Sequence, residues 1–322
     1  MASPCALRRC STAWHADPAH PPVLGDYRNN HGFSAIIRRT EMKRPQRPQP
    51  TPHGAVEKRV QRRRGERIED ALDLVAAEVP VALAYNGTPF AVMMATPGDL
   101  EDFALGFSLS EGIVARAEQL RILAIDTSLE GISIDLAIPE NAADVLDDRR
   151  RNLQGRSGCG ICGTASIEAV LRPPSPVGDS RAIASSALDR ALRELQALQP
   201  LNALTGATHA AAWAQADGSI ALVREDVGRH NALDKLIGAL TRAGIDPLSG
   251  FAVITSRASY EMAMKAAQTG IPLLAAISAP TALAIALAES AGLTLIGFAR
   301  DDGYVVYSHP QRLLASASEA AA

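Results

Sequence analysis

After the run Pro173-Pro174-Ser175-Pro176 the sequence alternates between two periodicities, and few folds accept that alternation. Residues 187–198 are spaced as a helix. Residues 210–214 and 220–224 are strand-like runs on either side of an Asp217-Gly218 turn. Helical spacing over 232–241, 260–268 and 281–290 then alternates with apolar strand runs at 251–255, 273–277 and 293–298, and a last strand covers 305–307. Strands joined through helices need right-handed crossovers, so the pattern predicts an α/β fold: a mixed, mainly parallel sheet with helices on both faces. In such sheets ligands bind beyond the carboxyl ends of the strands. Those ends carry Glu225-Asp226, Ser256-Arg257, Ser278-Ala279 and Ala299-Arg300-Asp301-Asp302, which are mostly polar or charged after apolar strands.

The chain before the prolines reads as a smaller N-terminal α+β part, residues 66–172, with residues 173–322 as the α/β domain that carries the site. Ile68, Ala71, Leu72 and Val75 give a short helical spacing. Apolar runs at 81–85 and 90–95 flank Asn86-Gly87, a strong hairpin signal. Thr96-Pro97-Gly98-Asp99 opens a helix that Gly112 closes, with Leu100, Phe103, Ala104, Phe107 and Leu109 on its apolar side. Two strands, 120–125 and 132–138, turn at Glu130-Gly131. A helix over 141–151 ends in three arginines, suited to the negative end of its dipole, and a short helix covers 164–171.

Residues 1–65 stand apart. They hold 13 Lys and Arg against 4 Asp and Glu, and 8 of the 20 prolines, whereas the remainder holds 19 against 31. This composition predicts a basic, disordered extension, with Met42 as an alternative start. Arg8-Arg9 interrupt the first apolar residues, so no secretory signal is indicated. No apolar run has the length of a membrane span. Neither nucleic acid nor membrane is expected as a partner. Two of the four cysteines, Cys5 and Cys10, lie in the extension, so no disulfide framework is indicated and a reducing, cytoplasmic location fits.

The other two cysteines sit in Ser157-Gly158-Cys159-Gly160-Ile161-Cys162-Gly163-Thr164. Three glycines around two thiols describe a bendable loop that presents sulfur. Cysteine acts as its thiolate, and a nearby cation or helix N-terminus promotes ionisation. Arg149, Arg150, Arg151 and Arg156 precede the loop, and a helix follows it. Three chemistries fit: a dithiol–disulfide couple, a metal site, or a thiolate that carries a sulfur atom as a persulfide. Structural zinc wants four Cys or His ligands, and the chain offers one Cys-x-x-Cys with only His209, His230 and His309 outside the extension. A zinc deaminase needs His-x-Glu ahead of Pro-Cys-x-x-Cys. His209 is followed by Ala210-Ala211 and lies after the cysteines. Thioredoxin-like chemistry places the pair between a strand and a helix, where this chain has an arginine-rich loop.

Other clusters stand where strands end. Arg224-Glu225-Asp226-Val227-Gly228-Arg229-His230-Asn231-Ala232-Leu233-Asp234-Lys235 follows a strand and opens a helix, so Arg229 and His230 are placed to hold an anion. The plainer alternative is that Asp226 caps the helix and Arg229 pairs with a carboxylate. Thr255-Ser256-Arg257-Ala258-Ser259-Tyr260-Glu261 offers hydroxyls and an arginine suited to phosphate. Phe298-Ala299-Arg300-Asp301-Asp302-Gly303 reads by composition as a hairpin turn, and His209 as a structural histidine as readily as a working one.

Taken with Met93-Met94-Ala95-Thr96-Pro97, Phe103-Ala104-Leu105-Gly106-Phe107, Ser110-Glu111-Gly112 and His309-Pro310-Gln311-Arg312-Leu313, these motifs resemble the formate dehydrogenase accessory sulfur carrier family (FdhD) from about residue 78 to residue 313. The resemblance implies a sulfurtransferase. It would take sulfur from a cysteine desulfurase as a persulfide on Cys159, with Cys162 as partner. The acceptor would be the molybdenum cofactor, a bis-(molybdopterin guanine dinucleotide), bound as substrate and destined for formate dehydrogenase. Phe298, Ala299, Arg300, Asp301, Asp302 and Gly303 align with the family's cofactor-binding stretch. Ser256, Arg257, Arg229 and His230 are further candidates to anchor guanine and phosphate. The resemblance also implies a cytidine deaminase-like main domain without its zinc, no permanent metal, and a homodimer. Two other functions are weighed against it: a non-catalytic chaperone for the cofactor, and a zinc-binding module.

Overall fold

The computed structural model describes residues 54–143, 146, 174, 176–300 and 302–315. The Cys-x-x-Cys loop with Cys159 and Cys162, most of the extension, the end of the helix over 141–151, the helix over 164–171 and Asp301 lie outside the described residues.

The described chain begins with a hairpin of β1 (Ala55–Arg64) and β2 (Arg67–Ala76), paired antiparallel from Ala55 opposite Ala76 to Arg64 opposite Arg67. This corrects two expectations. Residues 55–64 form a strand rather than part of a disordered extension, and 67–76 is a strand rather than a helix. Ile68, Leu72 and Leu74 also fit a period of two, and long-range pairing decides between the periods. The partner strand lay in a segment whose composition gave no sign of order.

A four-stranded sheet follows, ordered β4-β3-β6-β5. Its strands are β3 (Val79–Tyr85), β4 (Thr88–Ala95), β5 (Arg121–Thr127) and β6 (Ile132–Ala137), with only β3 and β6 parallel. Asn86 and Gly87 turn the β3–β4 hairpin at φ 49 and φ 76, the left-handed pair such a turn requires. Helix α1 (Leu100–Ser110) covers the sheet, burying Phe103, Ala104 and Phe107 among Val81, Leu83, Ile134 and Leu136.

Beyond the prolines, a short pair of β7 (Ile183–Ala184) with β14 (Leu313–Leu314) ties the two ends of the second part together. The main sheet is ordered β13-β12-β11-β10-β8-β9. Its strands are β8 (His209–Gln215), β9 (Ile220–Asp226), β10 (Gly250–Ile254), β11 (Leu273–Ala276), β12 (Thr294–Arg300) and β13 (Gly303–Ser308). The sheet is mixed, as expected, but the parallel pairings are confined to its centre, β10-β11-β12. Hairpins with antiparallel pairing close both sides.

Strand alternation sends Ala252 and Ile254 to one face, beneath α4 (Arg229–Arg242), α5 (Tyr260–Gln268) and α6 (Ala282–Ala291). Phe251 and Val253 go to the other face, beneath α2 (Ser185–Ala197). Helices therefore flank both faces. A six-residue helix, α3 (Pro200–Thr205), follows α2.

The two parts meet where α1 crosses α4, and glycine makes the crossing possible. A Cβ on Gly106 would stand 1.7 Å from the Asp234 carbonyl oxygen, and one on Gly238 would stand 1.9 Å from that of Asp102. Buried charges tie the same seam. The Lys265 ammonium reaches Asp234 at 3.0 Å, Glu111 at 2.6 Å and the Ser110 hydroxyl at 2.9 Å. Asp102 accepts from Arg224 and Arg242 at 2.8 Å each.

Candidate functional site

The carboxyl ends of β9, β10, β11 and β12 all open on one edge of the main sheet, together with the start of antiparallel β8. His209 there lies opposite Asp226. The sequence-selected residues after β9, β10 and β12 are therefore brought to one edge.

Much of the long motif after β9 is spent on holding the fold. Asp226 and Lys235, both side chains fully buried, form an ion pair at 2.7 Å. Asp226 also accepts from the backbone N–H of Thr96 at 3.0 Å and of Gly228 at 2.8 Å, and from the Asn231 amide at 3.0 Å. Lys235 donates to the Thr96 carbonyl at 2.9 Å, and Asn231 to that of Met94 at 2.8 Å. These bonds clamp the end of β4 to the start of α4. Asp226 is thus a cross-link between the two parts rather than the cap of α4, whose N-cap is Gly228. Glu225 accepts from the N–H groups of Leu201 at 2.9 Å and Asn202 at 2.7 Å, capping α3 from another element.

Arg229 and His230 are what the clamp leaves over. They form the first turn of α4 and face the first turn of α5. The His230 Nε2 lies 2.5 Å from Glu261 Oε2, and an Arg229 guanidinium nitrogen lies 3.9 Å from the same oxygen. Burial pushes the Glu261 carboxyl up, but His230, Arg229 and Lys265 outweigh it, and the net shift is downward. Arg229 Nε and Ser259 Oγ are buried atoms without a hydrogen bond among the described residues, whereas the equally buried His230 Nε2 is met by Glu261. Ser259 is the N-cap of α5, yet its hydroxyl makes no capping bond. His209 stands in the same field. Burial holds its pKa below the ordinary value, and the charges of Arg229 and His230 lower it further.

Next along the edge, Ser256 is buried and its hydroxyl donates to the Arg257 carbonyl at 3.1 Å, while the Arg257 side chain is exposed. Two strands from β10, roughly 10 Å at the usual strand spacing, β12 ends in the turn read as the cofactor stretch. Phe298 sits there at φ 52 with its ring 42% exposed. A bulky residue at positive φ is a strained position, and such positions cluster at functional sites. Arg300 is exposed and donates from Nε to the Ile277 carbonyl at 3.3 Å. Asp302 and Gly303 are exposed as well. Ala299 is fully buried in the core under α2, which leaves only its backbone for a ligand.

A cleft of about 420 Å³ opens beside this turn, lined by Arg300, Asp302, Ala299 and Ile277 with Leu192, Leu195, Gln196 and Gln199 at the end of α2. The α2 residues carried no sequence signal, because the helix reads as an ordinary amphipathic one. Ser259 and Glu261 lay inside a recognised motif, but only the fold shows that they face Arg229 and His230. Among the described residues no three His, Cys, Asp or Glu side chains converge as a metal site, and no helix is long and apolar enough to cross a membrane.

A family model described as the FdhD/NarQ family matches residues 76–314. A sulfur carrier protein FdhD of Xanthomonas euvesicatoria pv. vesicatoria (strain 85-10) is 69% identical over 260 residues, 81% of this chain and 92% of its own length. One of that name from Cupriavidus necator is 58% identical over 246 residues, 76% of this chain and 85% of its own. Among solved structures, a candidate formate dehydrogenase accessory protein from Desulfotalea psychrophila superposes with TM-score 0.63 at 25% identity, covering 81% of this chain and 99% of that one.

Proposed function

The chain belongs to the FdhD/NarQ family, and on that premise we propose that it is a cytoplasmic, homodimeric sulfur carrier for formate dehydrogenase. It accepts sulfur from a cysteine desulfurase on Cys159 and passes it to a bis-(molybdopterin guanine dinucleotide) molybdenum cofactor bound as substrate. The observation that carries this reading is the sheet edge. Among the described residues Arg229 and Ser259 have buried polar atoms without a hydrogen-bond partner, Arg300 lines a cleft large enough for a nucleotide base, and Phe298 is exposed two residues before it. Arginine donors suit pyrophosphate, and an exposed aromatic ring suits stacking on guanine. Backbone groups of 298–303 and the Arg257 side chain complete the candidate contacts.

The sulfur chemistry is what membership of the family implies for Cys159 and Cys162. The Cys159 thiolate attacks the terminal sulfur of the desulfurase persulfide, and the desulfurase thiolate leaves. One S–S bond replaces another without net oxidation. For release, Cys162 attacks Cys159, its proton goes to the departing sulfur, and hydrosulfide leaves as a Cys159–Cys162 disulfide forms. The dithiol supplies the two electrons, and a cellular thiol reductant restores it.

The test is incubation with a cysteine desulfurase and cysteine, followed by intact-mass measurement. A gain of one sulfur mass, absent in Cys159→Ala, is expected. The same variant is expected to fail to activate formate dehydrogenase while still binding guanine nucleotide. A chaperone without sulfur transfer would instead activate the dehydrogenase with Cys159→Ala, and that result would sink the persulfide assignment.

A further inference from the structure

We propose that one face of the β1–β2 hairpin, carrying Arg59, Arg63, Ile68, Asp70 and Leu72, is the contact surface for the same face of a second copy of this chain. The inference rests on the homodimer included in the function proposed above, and deepens it by naming the residues that meet.

β1 and β2 form a sheet of two strands only, paired over their whole length. A two-stranded hairpin is marginal in water without a surface to pack on. This one is fastened at its root. The Gly54 carbonyl accepts from the Ala77 N–H at 2.7 Å, and the Cβ position of Gly54 falls 2.7 Å from the Thr96 side chain and 3.2 Å from that of Leu201. From the root the strands extend by roughly 33 Å at the usual rise per residue, and their outer edges are unpaired among the described residues.

Strand alternation gives the hairpin two unlike faces. On one, Val60, Ala71 and Val75 are half-buried, and two ion pairs form within the chain: Arg62 reaches Asp73 at 3.5 Å and Arg67 reaches Glu69 at 3.2 Å. The other face is the reverse. Ile68 and Leu72 are each 57% exposed, and Arg59, Arg63 and Asp70 form no ion pair among the described residues. Exposed apolar side chains set among charges mark an interaction surface.

The charge pattern selects the occupant. The ladder sets Asp70 opposite Gln61, midway between Arg59 and Arg63. A two-fold axis along the strands lays β1 of each copy over β2 of the other. Asp70 then stands between the partner's Arg59 and the partner's Arg63, and the converse contact forms at the same time, as in the isologous interface of a closed dimer. Ile68 and Leu72 flank Asp70 on the same face of β2 and are covered by the same overlap. The face is complementary to itself, whereas a partner of one charge sign would leave either the arginines or the aspartate opposed.

The experiment is sedimentation of the full chain over a concentration series, with sulfur loading measured on the same samples. Wild type is expected to be a dimer. Leu72→Asp should weaken dimerisation at least tenfold; the side chain is exposed, so the circular dichroism spectrum should stay that of wild type. Asp70→Arg alone and Arg59→Glu with Arg63→Glu should each dimerise at least tenfold more weakly than wild type. Mixing the two should give a heterodimer at least tenfold tighter than either variant's own dimer, a rescue between chains that a role within one chain would not produce. A wild-type monomer overturns the surface and the homodimer together. A wild-type dimer that Leu72→Asp and the charge exchange leave unchanged overturns the surface and keeps the homodimer. Failure of sulfur loading in a dimer that responds as expected sinks the carrier reading and leaves the surface standing.

Discussion

Replacing Gly106 by alanine tests whether the candidate site is held in place by the α1–α4 crossing. The added Cβ would stand 1.7 Å from the Asp234 carbonyl oxygen, 2.6 Å from its carbon and 2.7 Å from the Gly238 nitrogen. All three are backbone atoms, so no side chain can rotate away. Reaching an ordinary contact of 3.4 Å requires one helix to move by roughly 1.7 Å. Alanine gains up to ~1 kcal/mol over glycine in helix propensity, but overpacking of this kind costs about 1–3 kcal/mol. The movement also strains the cluster around Lys265, since Ser110 and Glu111 belong to α1 and its end while Asp234 and Lys265 lie on α4 and α5. Disrupting a buried ion pair adds a further cost of up to ~3–5 kcal/mol. A net loss near 3 kcal/mol is expected. With a urea dependence of ~3 kcal/mol per molar, the unfolding midpoint drops by about 1 M. Guanosine diphosphate should bind more weakly too, because Arg229 and His230 ride on the displaced helix. Gly98→Ala is the control: nothing lies within 4 Å of its Cβ position, and its midpoint should shift by less than ~0.5 kcal/mol equivalent. A Gly106→Ala midpoint equal to that of wild type would refute the close-crossing argument.

Two further perturbations follow from buried and half-buried charge. Lys235→Met removes one member of a pair whose side chains are both fully buried, so a loss of ~3–5 kcal/mol in chemical denaturation is expected. Adding Asp226→Asn to that variant should recover part of it, and a double variant no more stable than the single one would count against the pair as the cause. His209 is held below its ordinary pKa near 6.5 by burial and by the charges of Arg229 and His230. The unfolded chain therefore binds the proton more readily, and stability should fall as pH drops through 6.5, levelling off once the folded-state pKa is passed. His209→Asn should flatten that part of a thermal-melt pH profile, and a profile as steep as wild type would assign the acid sensitivity elsewhere.

The sequence was most legible where local chemistry decides the structure. Asn86-Gly87 turns the hairpin as read, and the helix expected over 260–268 is α5. It was least legible where a distant partner decides. The β1–β2 hairpin pairs one segment of disordered-looking composition with another of ambiguous period. Helix α3 has only six residues and gains its N-terminal acceptor from Glu225, more than twenty residues on. The sheet is less parallel than the strand–helix alternation suggested because its outer strands return through hairpins. Periodicity does not distinguish a hairpin strand from a crossover strand once both are apolar. The positions of Arg229, His230, Ser256, Arg257 and 298–300 along one edge were legible from the strand-end rule. The facing of Ser259 and Glu261 onto Arg229 and His230 was not, since it depends on how two helices sit side by side.

Within the motif from Arg224 to Lys235, charge density alone pointed to a ligand, and the structure divides that charge into two uses. Asp226, Asn231, Asp234 and Lys235 have their polar atoms met from β4, α1 and α5. Their loss should appear first in stability. Arg229 retains an unmet Nε donor, and His230 beside it meets Glu261, on the outer turn of the same helix. Their loss should appear first in ligand affinity. Because one helix carries both sets, the clamp fixes α4 at the point where its first turn must present cations to the sheet edge. The buried ion pair is then a positioning device for the site, and its net contribution to stability, which buried pairs supply poorly, is not the reason for its placement. Fold and candidate site are coupled through the Thr96–Asp226–Lys235 contacts, which lie directly behind Gly228, Arg229 and His230.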